Sequence, residues 1–128
     1  MKLNQITVPT RDLDLAISFY QKLGMRLIVH APPRYARFEG PDGDFTFSLH
    51  LVDALPEGEG VSVYFELENL DAYVAELRDM GVKFDEAPED RSWLWREARL
   101  RDPDGNRLIL YFAGENRRFP PWRIQTTE

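Results

Sequence analysis

The stretch that decides the fold is "RDPDGNRLILYF", residues Arg101 to Phe112. It reads as the end of one strand, a tight turn and the start of the next. Asp102-Pro103-Asp104-Gly105 supplies the turn: Pro presets φ, Asp side chains bond nearby backbone, and Gly accepts a positive φ. Beyond it Leu108, Leu110 and Phe112 alternate with Arg107, Ile109 and Tyr111. The first row is expected in the core. The second places one apolar residue, Ile109, between two polar-tipped neighbours, so the purpose of that face is the question.

A "PDG" turn occurs twice, at Pro41 and Pro103. Around each lies the same order of elements. In the first half, alternation predicts a strand over Leu3–Pro9 and N-cap chemistry at Thr10-Arg11-Asp12. Leu13, Ala16, Ile17, Tyr20 and Leu23 recur at helical spacing up to Gly24. Strands are predicted over Met25–Ala31, Tyr35–Glu39 and Phe45–Val52, with Pro32-Pro33 as a break. In the last of these, Phe45, Phe47, Leu49 and Leu51 form one face, and Thr46, Ser48 and His50 the other. "DALPEGEG", from Asp53, is a linker. The second half predicts a strand over Val61–Leu67 and a helix after an N-cap at Asn69, with Leu70, Tyr73, Val74, Leu77 and Met80 on one face. A strand is expected to begin at Val82-Lys83-Phe84, with "DEAPEDRS" as a polar loop. Strands over Trp93–Arg101 and Arg107–Phe112 complete the set. The helix starts and stops keep a constant offset of 57 positions (12 to 69, 13 to 70, 24 to 81). Two copies of a β-α-β-β-β unit indicate duplicated half-domains rather than a repeat array.

Composition narrows the classes. The chain has 128 residues, a formal net charge of −6 and no cysteine. That length suits one domain with a real core. The absence of cysteine excludes a disulfide framework, a thiolate metal site and a cysteine nucleophile. The acidic balance and scattered basic residues argue against nucleic acid, which needs clustered Lys and Arg. No apolar run is long enough for a membrane span, and the N-terminus reads as a strand rather than a signal peptide. A cytoplasmic protein without a membrane or nucleic-acid partner is therefore expected.

The segments "LNQITVPTRDLDLAISFYQKLGM", "VYFELENLDAYVAELRDMGV" and "RDPDGNRLILY" together resemble the vicinal oxygen chelate superfamily. That group holds glyoxalase I, bleomycin-resistance proteins, fosfomycin-resistance enzymes and extradiol dioxygenases. The resemblance implies an α+β glyoxalase-like fold: two β-α-β-β-β modules, 3–52 and 61–113, with curled sheets around a cavity. They make one domain over 1–113, with 114–128 as a C-terminal tail. Phe119, Trp122 and Ile124 are too apolar for a free tail and are expected to pack on the domain or a partner. A homodimer is implied by the same resemblance.

Enzymes of that group hold a divalent metal on four strands, and the resemblance carries those positions onto Gln5, Ser48, Ser62 and Ile109. Gln is a feeble neutral ligand, Ser ligates rarely, and Ile cannot ligate, whereas a divalent ion wants His, Asp, Glu or Cys. No cofactor is therefore expected. The alternative is a displaced Zn, Ni, Mn or Fe held by Gln5, His50 and Glu66. Strand rise of about 3.3 Å per residue moves such a site by roughly 6–7 Å.

Alternation from these anchors places Thr7, Tyr64, Glu66 and Tyr111 on the same faces. It places Trp93, Trp95, Glu97, Arg99 and Arg101 opposite a core row of Leu94, Ala98 and Leu100. Aromatic walls with a few charges are the make-up of a small-molecule site. Trp93 and Trp95 can equally cover an interface, and Glu97 and Arg99 can simply neutralise buried charge. His50 and Glu97 are the acid–base candidates. Arg34 is a candidate for an anion at the mouth. The expected function is a metal-free small-molecule-binding protein of the glyoxalase/bleomycin-resistance type, holding an aromatic or cationic ligand by stacking and cation–π contact. The alternative is a lyase or isomerase with a displaced metal or a His50-based site. The four positions do not support lactoylglutathione-lyase-like or dioxygenase chemistry.

Overall fold

A computed structural model describes residues 1–125. Its residues fall into two compact units, 1–61 with 101–106, and 62–100 with the residues from 107 onward. Each unit carries one open four-stranded sheet and one α-helix, giving an α+β fold.

The first unit runs β1 (Gln5–Thr10), α1 (Leu13–Lys22), β2 (Arg26–Ala31), β3 (Tyr35–Glu39) and β4 (Thr46–Leu51), with strand order β1-β4-β3-β2. β1 and β4 are parallel; the other neighbours are antiparallel. Asp12 caps α1 by accepting from the Leu15 amide at 3.1 Å. Leu13, Ala16, Ile17 and Tyr20 form its buried stripe. The Tyr20 ring lies 4.6 Å from Phe47 and 6.0 Å from Phe38, both fully buried on one face of the sheet. Each such ring contributes about 1.5–3 kcal/mol by leaving water.

The 101–106 turn belongs to this unit, and its chemistry goes beyond reversing the chain. Asp102 is buried. Its Oδ1 accepts from the amides of Asp104 and Asn106, both at 2.9 Å. Its Oδ2 accepts from Tyr20 Oη at 2.6 Å and Asn106 Nδ2 at 2.7 Å. Asn106 Nδ2 also donates to the Pro9 carbonyl at 3.0 Å, and the Arg11 amide to Asp104 Oδ1 at 2.9 Å. Gly105 has φ +86°, which favours glycine. A charge buried among four donors is stable, where an unpaired one would not be.

The second unit runs β5 (Ser62–Glu66), α2 (Leu70–Asp79), β6 (Glu86–Asp90), β7 (Arg96–Arg101), β8 (Arg107–Phe112) and a short 3-10 helix, Gly114–Arg117. Its strand order is β5-β8-β7-β6, with β5 and β8 parallel. The helix buries Leu70, Val74 and Leu77. Asn69 occupies the cap position, but its side chain makes no cap hydrogen bond; Met80 lies past the helix end and is exposed.

Several expectations are corrected here. Residues 82–84 form no strand, while β6 lies inside the stretch read as a polar loop. β6 is an edge strand whose side chains are almost all exposed, so it needs no apolar row to announce it. The strand expected over Trp93–Arg101 begins only at Arg96. The Leu94 amide donates to Arg91 O at 3.0 Å and the Arg91 amide to Trp95 O at 2.8 Å, closing a tight turn. Leu94 there has φ +67° and is exposed, not core. Phe112, assigned to the core row with Leu108 and Leu110, is also exposed, whereas those two are buried.

In the tail, Phe119, Trp122 and Ile124 are exposed on this chain, with the Arg123 and Arg118 guanidinium carbons 4.5 and 5.3 Å from the Phe119 ring centre. The last three residues of the expected tail, 126–128, lie outside the described residues. No helix among the described residues is long and apolar enough to cross a membrane.

Candidate functional site

On the first unit's sheet, the face opposite the Phe38, Phe47 and Leu49 core carries a polar network. Register sets it: Thr7 sits beside Ser48 and Ser48 beside Arg37, while Gln5 sits beside Thr46 and Tyr35 beside His50. Gln5 Nε2 donates to Ser48 Oγ at 2.7 Å and to Thr7 Oγ1 at 3.2 Å; the Thr46 hydroxyl donates to Gln5 Oε1. Tyr35 Oη and Ser48 Oγ are 2.7 Å apart, and Arg37 Nε donates to Tyr35 Oη at 2.9 Å. Ser48 is fully buried beneath this network. Burial works to raise the Tyr35 phenol, but the hydrogen bonds from Ser48 and Arg37 and the Arg37 charge outweigh it and hold the phenol below its usual range. His50, the acid–base candidate, is exposed near the end of β4. Arg34 is exposed in the turn after β2, and His30 is exposed on β2.

Sequence reading placed Gln5, Thr7 and Ser48 together here, and they are. It missed Tyr35 and Arg37. Their signal was present: residues two apart on one strand share a face, and Ala36 and Phe38 between and after them take the core side.

On the second unit's sheet the corresponding face is aromatic. Trp95 stacks on Tyr111 with centroids 4.7 Å apart and planes at 20°. Tyr64 stands edge-on to both, at 5.9 and 5.5 Å. These offset-stacked and edge-on geometries suit ring quadrupoles. Ile109 is buried against Tyr111, Ala113 and Trp95. Trp95 Nε1 donates to Asn116 O at 3.2 Å, which ties the 3-10 helix to the turn that precedes β7. Tyr64 remains 45% exposed, so the cluster offers an open aromatic surface. Burial, and next the Glu66 carboxylate, push the Tyr111 phenol up.

The charged candidates are already engaged. Glu66 Oε2 accepts from the Ala113 and Gly114 amides, both at 2.9 Å, capping the short helix. Glu97 is 1% exposed; Trp93 Nε1 donates to its Oε2 at 2.8 Å and Arg99 Nη2 to its Oε1 at 3.0 Å. Arg91 adds a 3.7 Å ion pair with the same carboxylate, and Glu86 faces both arginines. Trp93 thus belongs with Glu97 in the 91–99 hairpin, not beside Trp95 in the aromatic cluster. Glu97 and Arg99 pair directly with each other. Arg101, placed in the same row, is exposed.

The positions that the resemblance implies as metal ligands are Gln5, Ser48, Ser62 and Ile109. Gln5 spends its carbonyl oxygen on Thr46 and its amide on Ser48 and Thr7. Ser48 Oγ serves Gln5 and Tyr35. Ser62 Oγ accepts from the Arg107 guanidinium at 3.0 Å, so a positive charge already sits on that position. Ile109 offers only hydrocarbon. This donor set does not fit a divalent ion. Among the described residues no three His, Asp or Glu are grouped to hold one.

Comparison with known proteins agrees with this fold. Residues 2–110 match the family model of the Glyoxalase/Bleomycin resistance protein/Dioxygenase superfamily. The uncharacterized protein YraH of Bacillus subtilis (strain 168) is 30% identical, across 87% of this chain and 98% of YraH. A glyoxalase/bleomycin resistance protein/dioxygenase from Nocardioides superposes with a TM-score of 0.78 at 24% identity, over 98% of this chain and 90% of that one. A bleomycin-binding protein crystallised with bleomycin gives 0.73 at 22% identity, over 88% and 98%. A lactoylglutathione lyase from Agrobacterium tumefaciens gives 0.73 at 17%, over 87% and 92%. These superpositions describe a shared scaffold, on which reactions differ. On the family match and the identity to YraH together, the chain belongs to the glyoxalase/bleomycin resistance protein/dioxygenase superfamily.

Proposed function

We propose that this protein binds an aromatic small molecule without a metal ion. The observation that carries the reading is the Trp95–Tyr111 stack with Tyr64 edge-on and half open to solvent. A planar ligand ring laid against Tyr64 and Trp95 gains stacking energy at little entropic cost, because the cluster is already assembled. The engaged state of Gln5, Ser48 and Ser62 and the hydrocarbon of Ile109 support the metal-free part. Glu66 and Glu97 are neutralised by backbone amides and arginines, which favours ring recognition over recognition of a cation. The bleomycin complex of one structural neighbour lends the reading precedent on the same scaffold.

The exposed Phe112, Phe119, Trp122 and Ile124 support a homodimer that covers them. Light scattering of the purified protein reads its mass directly.

Ligand screening by thermal shift tests the main reading, with bleomycin and a panel of aromatic drugs and metabolites as probes. A bound ligand raises Tm by mass action. The reading expects at least one aromatic hit whose shift shrinks in Tyr64→Ala, a variant at an open position. Hits confined to non-aromatic compounds, or shifts identical in Tyr64→Ala, overturn it.

A further inference from the structure

A proton count on the first unit's network points to a second kind of recognition. Ser48 and Tyr35 bring two hydroxyl protons, but only one hydrogen bond joins their oxygens. One proton must therefore find an acceptor elsewhere. Ser48 Oγ is fully buried and already accepts from Gln5 Nε2. Leaving its proton without a partner would cost the desolvation of a buried donor. The arrangement that satisfies the buried atom gives the Ser48 proton to Tyr35. Tyr35 then accepts twice, from Ser48 and from Arg37 Nε. Its own O–H is left to donate outward from a half-buried phenol.

Beside that O–H stands a cation. Arg37 spends its Nε on Tyr35 and holds its guanidinium 5.4 Å from the ring centre. Glu39, the acidic group on the same face of β3, is taken by Arg26 at 2.8 Å. His50 lies next to Tyr35 across the β3–β4 ladder. Among the described residues no carboxylate of this face is thus paired with Arg37, and its terminal nitrogens are the natural partners of an incoming anion. A pre-set O–H donor and an arginine on one rigid sheet face match the two oxygens of an oxyanion.

We propose that Tyr35 and Arg37, backed by Ser48 and Gln5, form a binding site for a carboxylate or phosphate group. The site stands on the first unit alone and does not rest on ring binding at Tyr64 and Trp95. Tyr35 and Arg37 contact the anion; Ser48 and Gln5 act as positioning residues that fix the direction of the Tyr35 proton.

The test follows the Arg37 Nε–Hε resonance of the full-length 15N-labelled protein, assigned by its loss in Arg37→Gln. Inorganic phosphate, benzoate and benzylammonium are titrated at constant ionic strength. The proposal expects saturable shifts with at least one anion and none with benzylammonium. The tighter of phosphate and benzoate names the group recognised. Affinity, read in the variants from neighbouring backbone amides, should fall at least tenfold in both Arg37→Gln and Tyr35→Phe. Arg37 is exposed, so its variant keeps the test valid even if Tyr35→Phe perturbs folding. Linear, unsaturable shifts with both anions overturn the proposal. So does an affinity unchanged in Arg37→Gln, or saturable binding of benzylammonium.

Discussion

The phenol of Tyr20 donates to Asp102 at 2.6 Å across 82 positions of sequence, with both groups buried in the first unit. The "DPDGN" motif is therefore more than a turn. Its first Asp is the acceptor for a helix residue far upstream, and its Asn reaches β1.

Tyr20→Phe keeps the ring packing and removes the donor. Asp102 Oδ2 then retains only Asn106. Equilibrium urea unfolding should show a loss of about 1–2 kcal/mol near neutral pH. An unchanged midpoint would mean that water replaces the phenol without cost.

The same pair sets an alkaline limit. Burial, and next the Asp102 carboxylate, raise the Tyr20 pKa far above its ordinary value near 10. The folded chain keeps the proton while the unfolded chain releases it, so this stability is complete below about pH 10 and is lost as pH rises beyond. Urea midpoints at about pH 8 and pH 11 should show the wild type losing its advantage over Tyr20→Phe. Tyr73 and Tyr111, also raised chiefly by burial, remain in both proteins and cancel in the comparison.

Leu94 is a strained, exposed residue at φ +67°. A left-handed conformation costs a side-chain-bearing residue roughly 1–2 kcal/mol, partly offset in glycine by the entropy of its unfolded chain. Leu94→Gly should therefore stabilise by about 0.5–1 kcal/mol, a Tm rise of a few degrees by calorimetry. A lower Tm would show that the Leu94 side chain contributes a contact worth more than the strain.

Glu97→Gln removes the charge that Arg99 and Arg91 share. Breaking a fully buried ion pair costs about 3–5 kcal/mol. Arg99 is partly exposed, which screens its half of the loss. Denaturant unfolding should report about 2 kcal/mol, with Trp93 fluorescence altered because its indole N–H loses an anionic acceptor. A neutral substitution would assign the charge balance to Glu86 instead.

Much of this was legible in the sequence. The limits of β3 and β8, the start of both helices and the 57-position repeat follow from alternation, caps and terminal glycines. What escaped did so for physical reasons. β6 is an edge strand with polar side chains, so no apolar rhythm marks it. The Leu94 turn cuts into a stretch whose alternation from Trp93 to Arg101 is broken in the core row only by Arg96; a left-handed residue turns the chain here without a Gly or Asn to announce it. At the candidate sites, the family resemblance placed Gln5 with Ser48, and alternation from those anchors placed Tyr64 with Tyr111. It did not reveal that Glu66 caps a following helix or that Tyr35 and Arg37 lie beside Ser48, since both depend on which strands become neighbours.

Ile109 is the sharpest point of that reading. The family resemblance carries a metal-ligand position onto it, and here it is packed against Tyr111, Ala113 and Trp95. Ile109→Glu would bury a carboxylate among them and should cost at least about 3 kcal/mol in urea unfolding. It should not create a metal site, because Ser48 and Ser62 remain committed to other partners.

A chain that takes its ligand without a metal ion should carry no ion through purification, and its metal content reads this. Protein purified without added metal, then equilibrated separately with Ni, Zn, Mn and Fe and desalted, is analysed by inductively coupled plasma mass spectrometry. Far less than one equivalent of every ion is expected, in the wild type and in Ile109→Glu alike. One tightly held equivalent of any of them in the wild type would contradict metal-free binding.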